Sequence, residues 1–284
     1  MVDRRDGVEV GPKETMIKRL LGCILLAANL IAPAPAHAEG ELRLSLGYGG
    51  RLLVRVLDIE VQARADRARF QADARLTSSG ILALVKHIHQ VASVQGRIED
   101  GEPRPGTFET QNLGGKTHRK VRVVWSAGQV NMTAQPPFDS LGDPPASAQQ
   151  KLAAADPLTQ LIRLTLGGSR EKSCGRSYLF FDGKQLYALD IGPASDAPLS
   201  AGEQKLGLAG GFHCSVRYRE IAGFRRKPES RKNQGLNRPI DLEFARLGAS
   251  GPLLIISLAA ETPLGRARIE LERVQWNGRG AGGG

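Results

Sequence analysis

Residues 57–76 read LDIEVQARADRARFQADARL, a stretch in which apolar and polar side chains alternate. The alternation holds through residues 57–63, is interrupted at the polar pair Asp66-Arg67, and resumes through residues 68–76. Successive side chains of a β-strand point to opposite faces, so a period of two indicates a half-buried strand with one face in water. Two such strands joined by a short polar turn predict an antiparallel hairpin.

The same alternation predicts further hairpins over residues 121–132 and 178–191, and a last meander over residues 242–274. The hairpin over residues 178–191 contains Asp182-Gly183, a dipeptide that favours tight strand turns. The exposed edges and the apolar face of such a sheet both have to be covered by other parts of the chain. We therefore expect a mainly β protein, with roughly ten or more strands in a strongly curved antiparallel sheet or half-open β-barrel, and one or two helices.

The clearest helix signal starts at Asp156. Aspartate is a good N-cap, Pro157 suits the first helical position, and apolar residues at helical spacing continue to Leu166 before Gly167-Gly168 ends the helix. A second helix is expected over residues 146–155.

Three other segments break the strand pattern. Residues 81–88 have helical spacing, but the run is short and also fits a strand. Residues 193–211 are rich in Gly, Ala, Ser and Pro, and residues 224–239 contain few apolar side chains. Both of these segments are expected to be long connections.

The N-terminal residues have the order of a secretory signal peptide. Lys18 and Arg19 precede an apolar run over residues 20–31, and Ala36-His37-Ala38 has the form of a cleavage site. The run is shorter than the roughly 20 apolar residues of a transmembrane helix. A lipoprotein cleavage box places its cysteine at the end of the apolar run. Here the run continues past Cys23, so Cys23 does not fit that pattern.

We therefore expect residues 1–38 to be a cleaved signal peptide with Met16 as the true start, and the remaining protein to be periplasmic. Residues 39–276 are predicted to form a single β-rich domain, and residues 277–284 a disordered Gly-rich tail. No transmembrane helix is expected after the signal peptide.

Two cysteines, Cys174 and Cys214, lie outside the signal peptide. In an oxidising compartment, an even pair is most simply interpreted as one disulfide. A catalytic thiol is the alternative, but neither a Cys-x-x-Cys motif nor a convincing His/Asn set accompanies it. No other catalytic motif is present, so we expect no enzyme and no cofactor.

Charge gives the best candidate for a binding surface. Residues 1–38 contain five Lys/Arg and four Asp/Glu, so the rest of the chain keeps 34 bases against 25 acids. A basic balance favours anionic partners, and export argues against nucleic acid because little of it is present outside the cytosol. Six bases lie close together in the connection before Pro239, where they form either an anionic-surface site or a solvated loop: Arg225, Arg226, Lys227, Arg231, Lys232 and Arg238.

Two weaker signals suggest a metal site and a nucleotide site, but we interpret them as a histidine pair without metal and a basic hairpin turn. His87 and His89 would share one face of a strand, as in a two-histidine metal site with His213 or His118 as a third ligand, but nothing in the spacing requires a metal. Gly114-Gly115-Lys116-Thr117 is similar to the end of a phosphate-binding loop, but Thr110 stands where that loop needs its first glycine. We therefore expect no metal site and no nucleotide site.

The order of turn and cap residues resembles that of a known family. The motifs, which span the chain from about Leu42 to Val274, are Ser78-Ser79-Gly80-Ile81-Leu82, Pro103, Pro105, Pro136-Pro137, Asp156-Pro157-Leu158-Thr159, Cys174, Phe181-Asp182-Gly183, Cys214-Ser215-Val216-Arg217-Tyr218 and Pro263-Leu264-Gly265. The family is the proteobacterial envelope proteins known as domain of unknown function 3108. The resemblance implies an exported, β-rich, non-catalytic protein, and the layout is loosely similar to the half-open barrels of periplasmic lipoprotein carriers.

Two functions follow as expectations. The first is a non-enzymatic envelope protein that binds a lipid or a lipidated ligand on an apolar concave β-surface. The alternative is a structural or interaction module with a filled core, which binds another envelope protein or cell-wall glycan.

Overall fold

A computed structural model describes residues 41–114, 117–225, 239–262 and 265–277. Within them, thirteen strands form one sheet: β1 Leu42–Leu52, β2 Val54–Ala65, β3 Arg69–Ser78, β4 His89–Glu99, β5 Glu102–Asn112, β6 Lys120–Ser126, β7 Gln129–Gln135, β8 Arg176–Phe181, β9 Leu186–Asp196, β10 Leu208–Ala222, β11 Ile240–Leu247, β12 Leu253–Thr262 and β13 Gly265–Trp276. Five helices accompany them: α1 Gly80–Val85, α2 Ala148–Ala153, α3 Pro157–Gly167, α4 Arg170–Ser173 and α5 Ala201–Lys205.

Two antiparallel meanders make up the sheet. Strands β1 to β7 follow one another in space as they do in sequence, and so do β8 to β13. The meanders meet where β1 pairs with β13, with Leu44 opposite Trp276. Strands β7 and β8 form the two edges, so the sheet does not close into a complete barrel.

The sheet curves around α3. This helix contacts β3, β4 and β5 in one meander and β8 and β12 in the other. Strands so far apart in the sheet can reach the same helix because the sheet bends around it, which places α3 on the concave side. The structure thus confirms the mainly β, half-open fold, and it adds short helices to the one or two expected.

Helix α3 starts and ends as its sequence predicts. Asp156 caps it by accepting a hydrogen bond from the Thr159 amide, and Pro157 is its first residue. Leu158 and Ile162 are buried in the main apolar core, together with residues from both meanders. Burial of this face fixes the helix inside the curve, because an apolar stripe is stabilised only when another apolar surface covers it.

Residues 193–211 are not the long connection that their composition predicts. Strand β9 continues to Asp196, α5 follows, and β10 begins at Leu208. Pro193 lies at a register shift in the pairing of β9 with β10, where a residue without an N–H is tolerated. The prediction was wrong because small residues on a paired strand look like a loop when only composition is considered.

Asn277, the first residue of the predicted tail, continues the pairing of β1 with β13. Its amide donates to the Arg43 carbonyl at 3.2 Å, and its side-chain oxygen accepts from the Arg43 amide at 2.7 Å. Residues 1–40, which include the predicted signal peptide and Cys23, and residues 278–284 lie outside the described residues.

Candidate functional site

The concave side contains a half-open pocket of about 460 Å³ between the first meander, the start of α3 and the β8–β9 turn. Its apolar lining is Ile59, Ala74, Leu76, Val91, Ala92, Phe108, Val121, Phe138, Pro157 and Leu158. Its polar lining is Gln90, Thr110, Asp182, Lys184, Gln185 and Tyr187. Ligand pockets in proteins commonly enclose about 300–1,000 Å³, with apolar walls and a few polar groups.

Small side chains leave this space open. Ala74 of β3 and Ala92 of β4 are register partners in one cross-strand row. In the next row, Val94 pairs with Phe108 and both side chains are buried. Side chains therefore fill the concave side at the second row, whereas the alanine row leaves room for a ligand.

Phe138 stands at the mouth of the pocket between two cations. The Arg119 guanidinium carbon lies 4.5 Å from the centre of the Phe138 ring, and the Lys184 ammonium lies 5.2 Å from it. Arg119 is oriented by donating to the carbonyls of Pro136 at 2.8 Å and Pro137 at 3.0 Å. Within the described residues neither cation forms an ion pair, although the charge of Lys184 acts on the neighbouring Asp182 carboxyl.

The β8–β9 turn forms one wall of the pocket, and one oxygen of its Asp182 carboxylate is hydrogen-bonded within the turn. An Asp182 oxygen accepts from the backbone amides of Lys184 at 2.9 Å and Gln185 at 2.7 Å. Burial raises the pKa of Asp182 above its ordinary value, although these hydrogen bonds oppose the shift. One oxygen of Asp182 thus holds the turn that presents Lys184.

Asp156 has a similar structural role at the start of α3. It is fully buried and accepts from the Thr159 amide at 2.8 Å and the Thr159 hydroxyl at 2.5 Å. Burial raises its pKa, because removal from water disfavours the charged form. The folded protein then holds a proton that the unfolded chain has lost, so this group reduces stability as pH rises from about 4 towards the raised pKa.

A larger depression of about 550 Å³ lies on the opposite face of the first meander. Its lining is mostly polar or charged, including Glu60, Asp73, Arg75 and Glu109. Glu109 pairs with Lys120 at 2.8 Å, and this hydrogen-bonded ion pair lowers the pKa of Glu109. Because its charges are already paired on a solvated surface, this depression is a poorer candidate for an apolar ligand.

Cys174 and Cys214 are joined in a disulfide, the pair that the sequence analysis expects. Both are buried in a second apolar cluster with Leu164 of α3 and residues of β9 to β12. The bridge connects the segment after α4 to the middle of β10. It therefore has a structural position, away from the pocket lining.

Of the six predicted surface bases, only Arg225 is described, and it is exposed and pairs with Asp139 at 3.2 Å. The other five, Arg226 to Arg238, lie outside the described residues, as does Gly115-Lys116 of the glycine motif.

The two histidines lie near each other without a completed metal site. The rings of His87 and His89 are 6.4 Å apart, edge to face. His213 is engaged elsewhere, with Asp241 at 3.1 Å and Ser195 at 3.3 Å. No group of three His, Cys, Asp or Glu residues suited to a metal occurs in the described part of the chain.

Sequence reasoning missed the pocket residues Ala74, Ala92, Phe138 and Lys184. Alanines on a strand indicate only an apolar face, and their pairing across two strands depends on register. The one available signal for the alanines was their size, since Ala74 and Ala92 are much smaller than most other apolar residues of their strands.

No family model and no curated protein matches this chain. Among solved structures, it is similar to a beta-barrel-like protein of domain of unknown function DUF1849 from Brucella abortus. The two chains are 9% identical, with a TM-score of 0.45, and the match covers 84% of this chain and 98% of the other. No helix in the described segments is both long and apolar enough to span a membrane.

Proposed function

We propose that this protein is a non-enzymatic binder of an amphiphile that has an acyl chain and an anionic head group. The observation that carries the proposal is the 460 Å³ pocket, whose walls are apolar and whose mouth carries Lys184. The acyl chain occupies the space above Ala74 and Ala92. The head group, a carboxylate or a phosphate, lies near Lys184 and Arg119.

The energetics suit reversible binding. A buried methylene contributes about 0.8 kcal/mol, so a chain that buries about eight of them gains on the order of 6 kcal/mol. A partly exposed cation near the head group adds about 1 kcal/mol. Part of this gain is offset by the loss of translational and rotational freedom on association.

The decisive measurement is native mass spectrometry of the protein after mild extraction, with Ala92→Phe as the pocket variant. The pocket has room for a phenyl ring, so the fold should tolerate this change while the ligand space is lost. Gln95→Phe, on the exposed face of the same strand, is the matched control. We expect bound acyl species on the wild type and the control, and none on Ala92→Phe.

A titration with the fluorescent fatty acid cis-parinaric acid measures the affinity. Lys184→Gln should weaken binding about fivefold, which corresponds to the loss of about 1 kcal/mol. Binding that is unchanged in Ala92→Phe would place the acyl chain elsewhere and refute the proposed pocket.

One observation favours the second function, an interaction module with a filled core. Helix α3 and the core side chains occupy much of the concave side, with Val94, Phe108 and Val123 all buried. This interpretation predicts no acyl species after extraction and no effect of Ala92→Phe on fatty-acid fluorescence. Envelope proteins or glycan recovered with the purified protein would then support it.

We also propose that the protein acts outside the cytosol and belongs with the family of domain of unknown function 3108. The signal-peptide pattern over residues 16–38 and the buried Cys174–Cys214 bridge support export. Mass determination of the protein recovered from bacterial periplasm tests this, since cleavage after Ala38 leaves Glu39 as the first residue.

A further inference from the structure

Two leucines project into solvent at one end of the sheet. Leu53, in the β1–β2 turn, is 94% exposed, and Leu84, in α1, is 87% exposed. Val54, beside Leu53, is 48% exposed. Helix α1 packs against β2, and a Cβ on its first residue, Gly80, would lie 2.5 Å from the Arg55 carbonyl, so α1 lies close to this turn.

Folding does not explain Leu53. Its φ of 67° is in the left-handed region, which costs a non-glycine residue about 1–2 kcal/mol. Glycine or asparagine would suit this turn better, and neither would expose an apolar side chain. Leu53 gains nothing from burial and loses some stability through its backbone, so a contact outside the fold would account for a leucine at this position.

The pocket lies near the same end of the sheet. In an antiparallel meander, the end of β1 and the start of β2 lie beside the end of β3 and the start of β4. The pairs Leu57–Ser78 and Thr77–His89 establish this end. The pocket is lined by Leu76 and Gln90, which are within two residues of it.

Three cations without an ion-pair partner in the described residues lie at this end of the sheet. Lys86 directly follows α1, and Arg119 and Lys184 flank Phe138 at the pocket mouth. Several carboxylates at this end are held by arginines or by backbone amides. Arg51 and Arg55, on either side of the turn, pair with Asp58, Glu270 and Glu272. Asp139 pairs with Arg225 and Glu261 with Arg266, and Asp182 accepts from two amides. Exposed apolar side chains and unpaired cations at the same end of a protein are complementary to a bilayer surface with anionic head groups.

We propose that this end of the sheet, defined by Leu53, Val54, Leu84 and Lys86, docks on an anionic lipid bilayer. The leucines insert among the head groups while Lys86 contacts lipid phosphates. The docking residues do not line the pocket, so this inference stands independently of the proposed ligand. Docking here places the pocket near the membrane.

Flotation with lipid vesicles tests the proposal, using the protein in the form in which cells produce it, with its N terminus determined by mass spectrometry. The probes are phosphatidylcholine vesicles with and without phosphatidylglycerol. We expect binding only to the phosphatidylglycerol vesicles, and weaker binding at high salt. The double variant Leu53→Ser/Leu84→Ser should bind more than tenfold more weakly, since burial of one leucine exceeds the value of a tenfold change.

Leu152→Ser is the matched control, because Leu152 is 44% exposed and lies on α2, near the opposite end of the sheet. It should bind as the wild type does. Failure of the wild type to bind phosphatidylglycerol vesicles, or full binding by the double variant, would overturn the proposal.

A local readout covers the case in which the double variant is unstable. Leu84→Trp places an indole at the docking surface, while the native Trp125 and Trp276 lie at the far ends of β6 and β13. Vesicles with brominated acyl chains should quench the fluorescence of Leu84→Trp more than that of the wild type. Equal quenching would overturn the docking geometry. Vesicle binding by Ala92→Phe should be normal, so failure of the pocket and failure of docking are distinguishable.

Discussion

Removal of the Cys174–Cys214 bridge should destabilise the protein by several kcal/mol. The two cysteines are separated by 40 positions and their Cα atoms lie 6.2 Å apart. In the chain-entropy treatment, closing a loop of about 40 residues lowers the entropy of the unfolded chain by an amount worth about 4 kcal/mol at 25 °C. Alanine is the replacement of choice, because both sites are buried and a serine hydroxyl would lack a partner.

Urea unfolding of Cys174→Ala/Cys214→Ala, followed by far-UV circular dichroism, measures the effect. With a slope of about 2.5 kcal/mol per molar, the loss moves the midpoint down by about 1.6 M. Wild-type protein reduced with dithiothreitol should unfold at the same midpoint as the variant. A decrease smaller than about 1 kcal/mol in both measurements would refute the loop-closure reasoning, because that range covers ordinary surface substitutions.

Three further substitutions test the fold and its electrostatics. Asp156→Asn preserves the helix cap but removes the buried carboxyl. When urea midpoints are compared across pH, the decrease in stability above about pH 4 should therefore be smaller in the variant. Identical pH profiles would contradict the raised pKa. Ile162→Ala should cost about 3 kcal/mol in urea unfolding, because Ile162 is only 2% exposed, and a loss under 1 kcal/mol would mean that α3 is not packed as described. Tyr48→Phe should cost about 1 kcal/mol, since the Tyr48 hydroxyl donates to the Ile255 carbonyl at 3.0 Å, and an unchanged melting temperature would show that this bond contributes nothing.

Residues 57–76 show what the sequence can predict. Their alternation gave both strands and the turn, because polar side chains occupy every outward position. Helix α3 was equally predictable, since its cap, its first proline and its final glycines are local signals. The class of fold follows from such segments by the need to cover an apolar face.

Strand β1 shows where alternation fails. Its outward positions include Gly47 and Gly49, which look like turn residues in the sequence. A Cβ at Gly47 would lie 2.8 Å from the Arg273 guanidinium, and one at Gly49 would lie 2.3 Å from the Glu272 carboxylate. The glycines are thus covered by long side chains of β13, a partner more than 200 residues away in sequence. No local pattern could have revealed this.

The pocket could not be predicted for a related reason. It depends on the register that pairs Ala74 with Ala92, and on the β8–β9 turn reaching across to β6. A Cβ on Gly183 in that turn would lie 2.4 Å from a Val121 methyl, which shows how closely the two parts of the chain approach. The sequence predicted an apolar concave face, but only tertiary structure shows which part of it is open.

The meeting of β1 with β13 imposes an order on biosynthesis. Each meander can form as its own strands emerge, since every neighbour within it is adjacent in sequence. Strand β1, however, lacks its second partner until the last strand has been made, and the Leu44–Trp276 pair then closes a loop of more than 200 residues. The β1 edge therefore stays unpaired until the last strand is available, and a chain truncated before Gly265 would leave the edges of both β1 and β12 open to pairing with other molecules.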